Sequence, residues 1–277
     1  MPSPSESYLL DFHARLAGVT SKWFASAPVE VEGGTAPSSY ALLEAVVPGD
    51  ARPLAVLDLA CGDGYLLELL ARRKQPGLSL LGLDMSEHEL VAAQGRLNGT
   101  ATLVPGRAQS LPFEDASVDV VLSHLALMLM DDVETVLAEL RRVLKPGGRV
   151  SIVVGGDLVP GNALEVFAGL MKSAAAVPPT RLGDPRVRSV DGLRELFAEG
   201  FVDVTMRSLS VQGDGSPSEV WESLLTTYDA DRLSPAAQAS LKASFIQAVE
   251  PLRRSDGSVP LRWGMRQLTA IREARAT

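Results

Sequence analysis

From Leu54 onward, short apolar runs alternate with longer stretches in which apolar positions return at helical spacing. That alternation is the signature of βαβ units feeding a parallel sheet. The runs predict strands at 55–59, 80–84, 102–104, 118–123 and 149–154, and the stretches between them predict helices at 64–73, 86–97 and 133–144. Lys145-Pro146-Gly147-Gly148 predicts a helix stop and a tight turn before the fifth strand. Further on, 164–173 and 189–199 read as helices and 202–211 as a long strand. Two more helices follow at 216–228 and 234–254, then a turn at 255–257 and a closing strand at 259–271. The Ala-rich stretch 174–176 before Pro178-Pro179 reads as a loop edge. Ahead of this body, 8–16 reads as a helix, 33–37 is rich in chain breakers, and a second helix over 38–47 ends at Pro48-Gly49. The expected organisation is one α/β domain in which residues 1–50 form a helical cover over a body spanning 51–277.

Composition narrows the function classes. The chain is 46% hydrophobic and 22% charged, within the range of soluble globular domains. Its net charge of −8 tilts against a nucleic-acid partner, which needs a basic face. A single cysteine, Cys61, rules out an intrachain disulfide and a Cys-rich metal site, so no metal is expected. The polar, Pro/Ser-rich start has no signal pattern, and the longest apolar stretch, 125–130, is too short for a bilayer. A cytoplasmic location without membrane association is therefore expected.

The informative element is Val56-Leu57-Asp58-Leu59-Ala60-Cys61-Gly62-Asp63-Gly64-Tyr65: a buried-type strand, a small-residue turn, then a helix. Small residues let the backbone approach a ligand, and the helix start offers unpaired N–H groups to it. Twenty residues after Gly64 the second strand ends in Asp84, where a carboxylate can accept hydrogen bonds from both hydroxyls of a ribose. Leu67 occupies the place of the third glycine in a nicotinamide fingerprint. Asp58, two residues before the turn, fits poorly beside a diphosphate and well beside the ammonium of a methionine moiety. Both features favour S-adenosylmethionine as the cofactor.

With these motifs the chain resembles the class I, Rossmann-like methyltransferases that use S-adenosylmethionine, the broad family of ubiquinone-biosynthesis-type and natural-product enzymes. Further stretches carry the resemblance: Leu83-Asp84-Met85-Ser86, Gly106 to Phe113, Asp119 to Ser123, and Leu144 to Gly148. It implies a seven-stranded, mostly parallel sheet of order 3-2-1-4-5-7-6, the last strand antiparallel, with helices on both faces and the N-terminal cover. It also implies that Asp58, Ala60, Gly62 and Gly64 hold the methionine part, Asp84 the ribose, and Met85 a face of the adenine. Ala108 and Gln109 would line the adenine edge, with Ser123 and His124 near the sulfonium. Two positions depart from the family pattern. Arg107 stands where an aspartate usually meets the adenine amino group, and Met128 where many relatives carry a histidine.

Candidate catalytic groups are few. His124, at the C-terminal edge of the fourth strand, reads either as a base or acceptor-orienting group or as a histidine bonded to backbone at a strand end. His13 reads as a substrate-site group of the cover or a surface helix residue, and His88 as solvated. Asp131-Asp132 read as caps of the following helix or as groups facing the substrate, and Cys61 as a small residue filling the turn or a nucleophile beside the helix start. Met128 and Met130 suit either an apolar acceptor pocket or core packing, and Trp23, Phe24 and Trp221 are candidates for a lid. Acceptor specificity is expected in 8–40, 160–184 and 216–254, where motif content is lowest.

The expected activity is methyl transfer to an oxygen or nitrogen of a small metabolite, as in secondary metabolism, by a monomer or homodimer. The alternatives are an S-adenosylmethionine-binding protein with non-methylating chemistry and a non-catalytic partner subunit of the same fold.

Overall fold

A computed structural model describes residues 2–50, 52–174 and 182–274; most of the Ala/Pro stretch 174–179 lies outside them. In chain order the elements are α1 (Pro4–Arg15), α2 (Val19–Phe24), β1 (Val29–Val31), β2 (Gly34–Ala36), α3 (Ser39–Glu44), β3 (Leu54–Leu59), α4 (Tyr65–Arg72), β4 (Leu78–Asp84), α5 (Glu87–Leu97) and β5 (Thr102–Pro105). They continue with β6 (Val118–His124), α6 (Val133–Val143), β7 (Leu144–Gly155), α7 (Ala163–Ala174), α8 (Val190–Leu196), β8 (Phe201–Gly215), α9 (Pro217–Leu224), α10 (Tyr228–Asp231), α11 (Pro235–Ala248) and β9 (Val259–Arg272).

The strands form one sheet of order β2-β1-β8-β9-β7-β6-β3-β4-β5. Its centre and one side, β7-β6-β3-β4-β5, are parallel, and β9 runs antiparallel to both β7 and β8. The seven long strands keep the expected relative order. The count does not: the sheet has nine strands, because the hairpin β1-β2 adds antiparallel to the edge of β8, with Val29 opposite Val211. The N-terminal segment is therefore not purely helical.

Both faces of the sheet are covered, which is why its central strands read as unbroken apolar runs rather than alternating ones. On β3, Leu57 and Leu59 join one buried cluster with α6 and α8, while Val56 joins the other with α3, α4 and α5. A third cluster packs α7, α9 and α11 around Trp221, Phe167 and Phe245. Trp221 is thus core, not lid. Among the described residues no helix is long and apolar enough to cross a membrane.

Other boundaries shift for identifiable reasons. Lys145–Gly148 is not a turn preceding the strand but a bulge within it: Leu144 pairs with Val118 and Arg149 with Val120, so four residues oppose Asp119. The helix expected over 216–228 is broken into α9 and α10, with Thr227 capping the second through the Ala230 N–H. Asp132 precedes α6 without a side-chain cap, and the Asp131 carboxylate accepts from the Ser3 hydroxyl instead.

Candidate active site

The C-terminal ends of β3, β4, β5 and β6 open into a cavity enclosing about 1010 Å³ of empty space, its mouth included. This is the edge at which open α/β sheets bind ligands. Asp58, Ala60, Gly62, Asp84, Met85, Ala108, Gln109 and His124 all line it, as does His13.

The turn after β3 is built to bring backbone to the ligand. Ala60, Gly62 and Gly64 all have positive φ, at 58°, 52° and 76°. Ala60 accepts a conformation that L-residues adopt reluctantly. Gly64 does not line the cavity. A Cβ on it would meet Leu97 Cδ1 at 2.9 Å and Ala93 Cβ at 3.1 Å, so its role is close packing of α4 on α5. Gly64→Ala is expected to cost about 2–4 kcal/mol, from overpacking and a left-handed alanine together, measured by urea unfolding. Gly62→Ala, whose nearest new neighbour is Glu89 Oε2 at 3.8 Å, is expected to lose only about 1 kcal/mol.

Asp84 ties the turn to the next strand. Its Oδ2 accepts from the Gly62 N–H at 2.9 Å and its Oδ1 from the Ser86 N–H at 2.8 Å. A carboxylate offers about four lone-pair sites, so two remain for hydroxyls in the cavity. Burial pushes the Asp84 carboxyl up, while the Ser86 and Gly62 hydrogen bonds pull it back. Asp58 differs: it is 2% exposed and lines the cavity, and its carboxylate makes no hydrogen bond among the described residues. Burial, then repulsion from Asp84 and Asp63, holds its carboxyl well above the usual carboxylate range. Such a group is costly unless a cation joins it.

His124 is also buried, stacked on Tyr40 with ring centroids 3.8 Å apart. Its Nε2 lies 2.8 Å from Ser39 Oγ, and its buried Nδ1 has no partner. Desolvation pushes its pKa down to about 3, so the ring is neutral. The strand-end reading, a ring bonded to backbone, is not what the structure contains.

The other expectations divide. His13 has both ring nitrogens occupied, Nδ1 by Glu89 Oε1 at 2.7 Å and Nε2 by Tyr228 Oη at 3.1 Å, which leaves neither for an acceptor. It fastens α1 over the cavity. Ser123 does not line the cavity; fully buried, it donates to the Leu59 carbonyl. Cys61 is a buried turn residue whose thiol is pushed up by burial, and His88 is exposed. Met130 lines the cavity, whereas Met128 Sδ accepts from the Gly155 N–H away from it. The described residues of 160–184 contribute nothing to the lining, while the cover supplies Leu9, Thr20, Ser21 and Tyr40.

Several lining residues carried no sequence signal that singled them out: Glu6, Ser21, Glu89 and Tyr228. For Glu89 the local pattern misleads. Ser86 and Glu89 have the spacing of a capping box. Ser86 does cap the Glu89 N–H, but the Glu89 carboxylate reaches across to His13 and the Gly18 N–H.

The open edge of this Rossmann-like sheet, where such folds bind ligands, brings together a left-handed small-residue turn, the buried Asp58 carboxylate and Asp84. Residues 57–152 match the family model described as a methyltransferase domain. The chain is 42% identical to the demethylmenaquinone methyltransferase of Lactococcus lactis over 37% of its length and 42% of the relative's. It is 34% identical to the malonyl-[acyl-carrier protein] O-methyltransferase of Erwinia pyrifoliae over 63% and 66% of the two chains. To the nocamycin O-methyltransferase of Saccharothrix syringae it is 29% identical over 84% of each. The matches to the first two thus span from under half to just under two thirds of those relatives. Among solved structures, the [4+2]-cyclase SpnF shares the fold at a TM-score of 0.60 and 20% identity, covering 99% of this chain and 97% of that one. Over residues 57–152 the chain is thus similar to methyltransferase domains.

Proposed function

We propose that this chain transfers a methyl group from S-adenosylmethionine to an oxygen or nitrogen of a small metabolite, leaving S-adenosylhomocysteine. The observation that carries this reading is Asp58, a buried carboxylate without a hydrogen-bond partner among the described residues, facing the cavity beside a turn that exposes backbone to it. An ammonium is the group such a site lacks. Asp84 retains accepting capacity for the ribose, and Met85 and Ala108 flank the place of the base. The bound cofactor supplies a methyl group activated by the sulfonium.

The chain's contribution is alignment and proton handling. Thr20, Tyr40, Leu125, Ala126, Leu129 and Met130 form a mostly apolar wall beside His124, suited to a small acceptor held close to the methyl group. Holding the two reactants in line can supply up to roughly 7–11 kcal/mol of the barrier. His124, neutral and free at Nδ1, takes the proton the acceptor releases. The O-methyltransferase names of two relatives lend support to an oxygen acceptor.

Isothermal titration with S-adenosylmethionine, S-adenosylhomocysteine and NAD tests the reading. Micromolar binding of the first two and none of the third is the expected result; binding of NAD alone would refute it. In the same assay Asp84→Ala is expected to weaken S-adenosylhomocysteine binding about ten- to a hundredfold, from lost charge-assisted hydrogen bonds and a loosened turn.

A further inference from the structure

We infer that Glu6, on the N-terminal helix, accepts a hydrogen bond from the exocyclic amino group of the cofactor's adenine, so that α1 completes the cofactor site and sets its base specificity. This rests on the cofactor reading above.

Three neighbouring strands fix the direction of the ligand. β3 delivers Asp58, β4 delivers Asp84, and the loop leaving β5 delivers Gly106 to Gln109, side by side along one edge. Neighbouring strands lie about 4.8 Å apart. A molecule with its ammonium at Asp58 and its ribose at Asp84 must therefore place its base at the β5 loop. A purine bearing an amino group needs an acceptor there. Arg107 has only donors, and Gln109, whose Nε2 donates to the Asp131 carbonyl at 2.6 Å, offers one neutral oxygen as its only acceptor.

Glu6 is the charged acceptor at this end. Its side chain is 8% exposed and lines the cavity. Arg107 donates to its Oε1 from Nε at 2.8 Å and from Nη2 at 2.5 Å, and the Ser3 N–H donates to its Oε2 at 2.8 Å. Of about four lone-pair sites, three are filled from within the chain and one is left. Arg107, which cannot accept from an amino group, is a positioning residue for the carboxylate that can.

The test compares S-adenosylhomocysteine with S-inosylhomocysteine, whose 6-oxo group turns that edge from donor to acceptor, by calorimetric titration. The unaltered protein is expected to favour the adenosyl compound about tenfold or more. Glu6→Gln can keep the capping box with Ser3 through its one amide oxygen, gives up the Arg107 hydrogen bonds, and presents an amide N–H. Its preference is expected to fall within about threefold of unity or to reverse, with the thermal midpoint checking that the fold is kept. Undiminished preference in Glu6→Gln, with its loss in Gln109→Leu, would overturn the assignment in favour of the Gln109 oxygen. Failure of the unaltered protein to bind either compound would overturn the cofactor reading and this assignment with it, whereas binding without discrimination overturns this one alone.

Discussion

Asp58→Asn is expected to make the ligand-free protein more stable while weakening its hold on S-adenosylmethionine about a hundredfold or more. The two effects have one cause. In the free protein this carboxylate is buried with no hydrogen bond among the described residues and with two other acids nearby. Replacing it by a neutral side chain of the same shape removes that penalty, on the order of 1–3 kcal/mol. In a chain of this size that is a rise of roughly 2–4 °C in midpoint per kcal/mol. With ligand bound, the same substitution strands a desolvated ammonium. The midpoint rise that ligand normally produces by mass action then disappears.

The pH dependence follows with a definite sign. The Asp58 carboxyl is raised in the folded state, so its favourable contribution is present below the unfolded value near pH ~3.9 and is lost as pH rises through the elevated folded value. Cofactor affinity runs the opposite way, increasing with pH as the carboxyl ionises. Subtracting the Asn variant's profiles from the native ones isolates both slopes. An Asn variant that binds S-adenosylmethionine within threefold of the native protein would remove Asp58 from the site.

How far the sequence carried can be judged residue by residue. That Asp58, Ala60 and Gly62 reach the cavity was legible because a strand, a turn of small residues and a helix start are all written within a dozen positions, and Asp84 reaches it as the end of the next strand. The hairpin β1-β2 was not, because three-residue strands around Gly33-Gly34 are too short to show a period of two. What stabilises them is pairing with β8, some 180 residues away. Gly64 was assigned to the ligand by its place in the motif, yet α5, packed against it, needs the missing side chain more. Glu6 and Glu89 escaped notice because acidic residues early in a helix have an ordinary explanation in capping and the helix dipole. Their partners, Arg107 and His13, lie 101 and 76 residues away. The cover is the part of the site that sequence reads least well, since its contacts to the body are made by single side chains across long separations.

His124→Phe is expected to leave S-adenosylhomocysteine binding within threefold of native and to lower kcat about a hundredfold or more when the acceptor is a hydroxyl. Phenylalanine retains the apolar ring that stacks on Tyr40 and packs near Phe24, so the wall of the cavity survives. What it removes is the only nitrogen on that wall without a partner among the described residues. In the tautomer whose Nε2–H donates to Ser39 Oγ, Nδ1 carries the lone pair that receives the proton. Because burial holds the ring's pKa at about 3, the rate should show no loss between pH 8 and 5 attributable to protonation of this histidine, unlike a base titrating near 6.5. The same depression has a stability counterpart of known sign. A histidine kept neutral by burial contributes stability above its unfolded value near pH ~6.5 and loses it as pH falls towards about 3, so acid unfolding of His124→Phe should begin at lower pH than that of the native protein. A variant with native kcat would reduce His124 to a packing residue and leave alignment alone to account for the reaction. A native-like acid transition with a large loss of kcat would keep the base and show that the ring is wetter than its burial implies.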